Sequence, residues 1–235
     1  RPLFVISGVI TCIGFFVAWR YTEDDRRDSC PMNPTEQARQ IIKEFPTTMR
    51  RLLSNRKVLA SSFAVFAHAF CHFGLFTFIP MLGAGRGYDE FIIGITLTAN
   101  SLMIAVSLPI VGKLSDKVGR FLPIVVGLGV SVVAFALVPV ASSLWMLPVL
   151  NAVLGVCAVL VFPVTQAATM EALPVEDRGS ATGVWGMILS LGGSVGMFVM
   201  SGVLTVASID WVFYISAAFT LVCTVIVVAM KSYFD

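Results

Sequence analysis

Charge is what this sequence has least of. Asp, Glu, Lys and Arg make up 13% of its 235 residues, about half the share of an ordinary soluble domain. From Phe91 to Gly112 there is no charged residue, and from Phe121 to Met170 there is none again. Such a sequence is not that of a freely soluble globule. Cysteine is also sparse. Cys12, Cys71, Cys157 and Cys223 lie in apolar runs and Cys30 in a polar stretch, with no regular spacing, which excludes a disulfide framework and a zinc ribbon. A phosphate-cradling loop, His-Glu-x-x-His and paired carboxylates within the apolar runs are all missing. The sequence therefore offers no enzymatic template, no metal site and no cofactor site. The pI of about 8.4 does not signal nucleic acid, because the basic residues sit in loops beside apolar helices.

What is present is apolar length. Hydrophobic residues form 57% of the chain and the mean hydropathy is +0.89. About 20 apolar residues cross a bilayer as a helix, and seven such helices are expected. They run over Pro2–Trp19, Val58–Leu82, Phe91–Val111, Leu122–Val140, Leu144–Met170, Ser180–Ala207 and Trp211–Met230. Pro139 and the Ala-Ser-Ser after it divide the longest uncharged run. The run after Arg1 has its basic flank on the C-terminal side and no small-residue cleavage site, unlike a secretory signal. The start at Arg1 reads as a cut through a longer protein.

Basic residues orient the helices. With the segment 112–120 placed inside, every one of the 16 Lys and Arg residues except Arg1 and Arg86 lies on the inner side. Short inner loops carry such an excess, so the reading is N-terminus outside, C-terminus cytoplasmic, in a cell (plasma or inner) membrane. The partners expected on this basis are the lipid bilayer and a small-molecule substrate, and no nucleic acid.

Polar residues are unequally shared among the helices. His68, His72, Thr96, Asn100, Asn151 and Gln166 lie on the second, third and fifth, and an unpaired amide or imidazole in hydrocarbon costs several kcal/mol. These helices must face a cavity or one another. Thr96 and Asn100 share one helical face, and His68, His72 and Phe76 recur every fourth residue. The expected substrate cavity is lined by His68, His72, Phe76, Thr96, Asn100, Asn151, Gln166 and Trp185, from the second, third, fifth and sixth helices. Phe73, Phe78 and Phe162 are expected to face it too, with the fourth and seventh helices against lipid. For the histidine pair, a cavity lining competes with simple helix–helix bonding. Cys71 beside it gives metal-ligand spacing, but no carboxylate or further histidine in the apolar runs completes a site. Trp185 serves packing or substrate equally well. The glycines of the sixth helix, Gly192-x-x-x-Gly196 among them, read as close packing or as a hinge.

Gly112-Lys-Leu-Ser-Asp-Lys-Val-Gly-Arg120, read as a tight hairpin loop between two spans, resembles the loop signature of the major facilitator superfamily of transporters. Glu171-Ala-Leu-Pro-Val-Glu-Asp-Arg-Gly-Ser-Ala-Thr-Gly183 resembles that family's turn before its eleventh helix, although a plain helix cap explains it as well. The resemblance implies an all-α membrane protein. Residues 1–21 would be the last helix of an N-terminal half, 22–57 a cytoplasmic linker and 58–235 a six-helix C-terminal bundle. It implies a cytoplasmic gate built from Gly112, Asp116, Gly119, Arg120, Arg178 and Gly179. The gate's partner helix would lie in the absent N-terminal half, itself an expected partner. The general look, including Arg50-Arg-Leu-Leu-Ser-Asn-Arg-Lys57, is similar to drug–proton antiporters. The implied activity is alternating-access, proton-coupled efflux of an amphipathic organic solute. Transport of a sugar or other metabolite on the same fold, and below it a seven-helix receptor, are the alternatives.

Overall fold

The computed structural model describes residues 2–21, 49–50 and 54–234. Most of the expected linker, 22–57, therefore lies outside the described residues. Two compact units divide the chain, Arg1–Phe45 and Pro46–Asp235. The first contains helix α1, Pro2–Tyr21, with Arg20 in its last turn.

The second unit is helical throughout, with no strand among the described residues. It comprises α2 (Arg56–His72), α3 (Leu75–Gly85), α4 (Glu90–Val118), α5 (Phe121–Leu137), α6 (Met146–Glu171), α7 (Arg178–Leu204) and α8 (Ile209–Ala229). Five segments are long and apolar enough to cross a membrane: α2 with α3, α4, α6, α7 and α8. Helix α5 is apolar but shorter, 17 residues.

Two boundaries depart from the sequence reading, each for a physical reason. The expected span Val58–Leu82 is broken at Phe73–Gly74. Gly74 favours the helix weakly, and Pro80 removes the donor that the Phe76 carbonyl would take. Gly74 also gives room to Phe78, whose ring would sit 2.8 Å from an added Cβ. The second departure is the segment 112–120, which is not a hairpin loop. Helix α4 runs on to Val118, and only Gly119 and Arg120 separate it from α5. Lys113 and Lys117 lie near the negative C-terminal end of the α4 dipole. Asp116 pairs with Arg120 one turn on, at 2.7 Å. The chain then reverses at Gly119, whose φ of 83° and ψ of 168° only glycine adopts without strain.

Helices α2 and α6 form the centre. Helix α6 packs against α4, α5 and α2, and α2 against α7, α6 and α8. Buried residues form 67% of the apolar window of α2–α3 and 61% of that of α6, but only 17% for α4 and 22% for α7. Two large apolar cores lie in the bundle, besides a small one at Val58 and Val184. One contains Leu75, Ile79, Phe135, Leu154 and Phe213, the other Ile124, Leu128, Val161, Val164 and Val227.

Helix ends are tied by side chains. Asn55 caps α2 by accepting from the backbone N–H groups of Lys57 (3.0 Å) and Val58 (3.4 Å), and its amide donates to the Ala172 carbonyl at 3.2 Å. Arg86, at the end of α3, donates to the carbonyls of Ala141 at 2.7 Å and Pro139, and pairs with Asp210 at 3.3 Å. One guanidinium thus satisfies carbonyls just past α5 and joins them to the start of α8.

Candidate functional site

Three groups of polar side chains stand out in the second unit. The first lies at the α4–α5 turn. The Arg120 guanidinium donates to Glu171 through Nε (3.1 Å) and Nη2 (2.5 Å), to Ser115 Oγ through Nη1 (2.5 Å), and pairs with Asp116. Its side chain is 16% exposed, against 44% for Glu171 and 64% for Asp116. The Glu171 carboxylate, chiefly, holds the guanidinium pKa above its ordinary value. A cavity of about 180 Å³ opens beside it, bounded by Gly112, Ser115, Asp116, Arg120 and Pro163.

The family resemblance puts the docking surface of this turn in the absent half, and the contact with Glu171 is an addition to that expectation. Within the described unit Arg120 is already engaged by Glu171, the last residue of α6. The signal was visible: Glu171 is the first charge after the uncharged run that begins at Phe121. Arg178 and Gly179, grouped with this turn from their motif, lie exposed at the start of α7. Among the described residues no hydrogen bond or ion pair joins the Arg178 side chain to the Arg120 cluster.

The second group joins α4 to α6. Asn151 Nδ2 donates to the Thr96 carbonyl at 2.7 Å, and Asn100 Nδ2 donates to the Asn151 carbonyl at 3.0 Å. Thr96, Asn100 and Asn151 are all buried, and the hydroxyl of Thr96 bonds back to the Ile92 carbonyl at 2.8 Å. Gly155, one turn after Asn151, lets the Asn100 carbonyl approach so closely that a Cβ would collide with it. Of the two arrangements open to these amides, the structure shows them facing one another.

The third group is centred on two imidazoles. His68 and His72 are stacked, with ring centroids 5.2 Å apart and planes 25° apart. Phe162 of α6 meets both edge-on, at 5.0 Å and 5.5 Å. Phe73 stacks on Phe162 at 6.3 Å, and Phe76 lies 6.5 Å from His72. Phe76 is 46% exposed, whereas His68 is wholly buried and His72 nearly so. Among the described residues, both ring nitrogens of His68 and Nδ1 of His72 lack a hydrogen-bond partner. Phe78, expected beside them, instead packs into the apolar core. Gln166 is half-buried on α6, and Trp185 donates its indole N–H to Thr165 Oγ1 at 3.1 Å.

The profile of the Major Facilitator Superfamily matches residues 1–141 and 87–233 of the sequence. The chain belongs to this superfamily. Together with five helical segments among the described residues that are long and apolar enough to cross a bilayer, that makes it an all-α, multi-pass membrane protein. Among curated proteins it is similar to Multidrug resistance protein 3 of Bacillus subtilis (strain 168). The two are 30% identical over 118 residues, 49% of this chain and 23% of the relative. Multidrug resistance protein MdtG of Proteus mirabilis (strain HI4320) is 30% identical over 134 residues, 57% of this chain and 33% of that protein. Multidrug resistance protein Stp of Mycobacterium tuberculosis (strain CDC 1551 / Oshkosh) is 29% identical over 123 residues, 51% and 22% of the respective chains. The matched stretches thus span between about a fifth and a third of these relatives.

Proposed function

We propose that this chain contributes the C-terminal half of a secondary transporter that exports amphipathic organic solutes in exchange for protons. Residues 1–21 would be the last helix of the N-terminal half, 22–57 the cytoplasmic linker and 58–235 the six-helix C-terminal bundle. The N-terminus of the chain lies outside the cell membrane and the C-terminus in the cytoplasm. Two helical bundles rock around a site near the midplane, and the Arg120–Glu171–Asp116 cluster closes the inner end.

One observation carries the substrate class. The described spans place every Asp, Glu, Lys and Arg at a helix end, leaving phenyl, imidazole, amide and hydroxyl groups within. A dicarboxylate or sugar phosphate is normally bound by Arg or Lys within the membrane, whereas apolar and aromatic walls suit amphipathic molecules. The multidrug names of the relatives agree. Proton exchange then assigns the principal proton-binding carboxylate to the other half of the protein. The test is flux in proteoliposomes of the full-length protein under an imposed pH gradient. Extrusion of cationic dyes is expected. Uptake of a sugar or amino acid without dye extrusion overturns the proposal.

A further inference from the structure

We infer that the His68–His72 pair, with Phe162, Phe73 and Phe76, forms a recess for the planar aromatic part of a ligand that carries N–H or O–H donors. The inference rests on the transport reading for its context and names the class of molecule the site selects.

The argument starts from the unsatisfied nitrogens. A buried polar atom without a partner costs about 1–3 kcal/mol, and His68 and His72 carry three such atoms side by side. A neutral imidazole offers one acceptor and one donor. A pair of them therefore recovers that cost only from a partner with hydrogen-bonding groups on its edge. Water or the absent half could supply such groups in the resting protein, and a ligand displaces them by supplying its own.

Ring geometry sets the shape of the ligand. The imidazoles are tilted by only 25° to one another and Phe73 and Phe162 by 21°, so the cluster is built from two stacked ring pairs, with Phe162 touching both. Flat rings stack on aromatic faces, and a delocalised cation gains further from the phenyl faces. A compact ammonium or carboxylate gains little, since no counter-charge faces the recess among the described residues. Access is from the side of Phe76 and Thr77, which are exposed while the imidazoles behind them are buried.

A glycine on α7 adjusts the rim. A Cβ at Gly193 would fall within 2.8 Å of three Phe73 ring atoms, whereas at Gly192 and Gly196 it would meet the backbone of Phe66 and Phe70. Gly192 and Gly196 therefore set how closely α2 and α7 approach. Gly193 sets where one side chain, Phe73, lies, and so acts as a positioning residue for the recess.

The test uses full-length protein in lipid nanodiscs and two cationic probes. Ethidium is planar and carries amino donors; tetraphenylphosphonium is neither planar nor a donor. Replacing both histidines (His68→Phe with His72→Phe) keeps aromatic volume and removes every ring nitrogen. The preference for ethidium over tetraphenylphosphonium, taken as the ratio of their Kd values, is expected to fall about tenfold, the scale of one lost buried hydrogen bond. Gly193→Ala is expected to lower the same ratio several-fold, and decides the matter if the double variant does not fold. An unchanged ratio in a folded variant, or no ethidium binding by the wild type, overturns the recess. Proton-driven tetraphenylphosphonium flux on the same preparation separates the two readings. Flux with an insensitive ratio sinks the recess alone, and a sensitive ratio without flux sinks the transport reading alone.

Discussion

Replacing Glu171 by Gln removes the charge that does most to hold Arg120, and the size of the loss follows from exposure. Hydrogen bonds to a charged group are worth about 1.5–3 kcal/mol when shielded. The Glu171 side chain is 44% exposed, so solvent screening reduces its two contacts with Arg120 to about 1 kcal/mol. Asp116 makes a single contact from one turn away and is 64% exposed, so Asp116→Asn is expected to cost about 0.3–0.5 kcal/mol. The measurement is a double-mutant cycle of Arg120→Gln and Glu171→Gln, read by denaturant unfolding in mixed micelles. A coupling of about 1 kcal/mol is expected, shrinking in ~1 M salt, where the screening length is about 3 Å. The raised pKa of Arg120 gives a definite sign. Its contribution is fully present below the unfolded guanidinium pKa and is lost only as pH rises through the higher folded one. Titration of Arg120 therefore introduces no pH dependence near neutrality. A coupling of zero, or Asp116→Asn costing as much as Glu171→Gln, would refute the assignment of Glu171 as the principal partner.

Glycine substitutions should separate close helix contacts from open faces. Gly155→Ala drives a Cβ into the Asn100 carbonyl and is expected to cost about 1–3 kcal/mol, whereas Gly129→Ala meets nothing within 4 Å and should be neutral or slightly stabilising; thermal unfolding of the two variants side by side checks this. Gly119→Ala should cost about 1–3 kcal/mol through backbone strain alone, measured in the same way. Removing the α2 cap with Asn55→Ala should cost about 1 kcal/mol, visible as earlier proteolysis at the start of α2.

Where the helices lie was legible because lipid imposes a simple rule: charge marks the ends and its absence marks the spans. That rule located α6 and α8 to within about two residues at most ends, within the usual spread of boundary assignments. It failed at Gly112–Arg120 because it treats any charge as a loop. Lys113, Asp116 and Lys117 are instead carried on the last turns of a helix that projects past the uncharged run. The polar faces were legible as faces, but not as to what they meet. Asn100 and Asn151 point to water or to each other by the same periodicity, and only the approach permitted by Gly155 decides between these. Glu171 was missed as the partner of Arg120 for a related reason. The two are far apart in sequence, and nothing in a motif states that the end of α6 reaches the α4–α5 turn.

The seams of the bundle are held by different forces, and this predicts which helix moves. Amide hydrogen bonds join α4 to α6. Ser61 and Thr169, 2.7 Å apart, join α2 to α6. Between α2 and α7 there is no side-chain hydrogen bond among the described residues, only the close approach at Gly192 and Gly196. A single bond, Trp185 to Thr165, ties the body of α7 to α6. In hydrocarbon, apolar contacts exchange readily for lipid contacts, whereas a broken amide bond leaves polar atoms without partners. Displacing α7 therefore costs less than displacing α4. Spin-label pairs on exposed positions, Ser190 with Val149 for α7–α6 and Leu102 with Val149 for α4–α6, should show this. The α7–α6 distance distribution is expected to be the broader one and to shift when a cationic probe binds. Trp185→Phe should broaden it further. A shift confined to the α4–α6 pair would mean that polar bonding does not govern which helix yields.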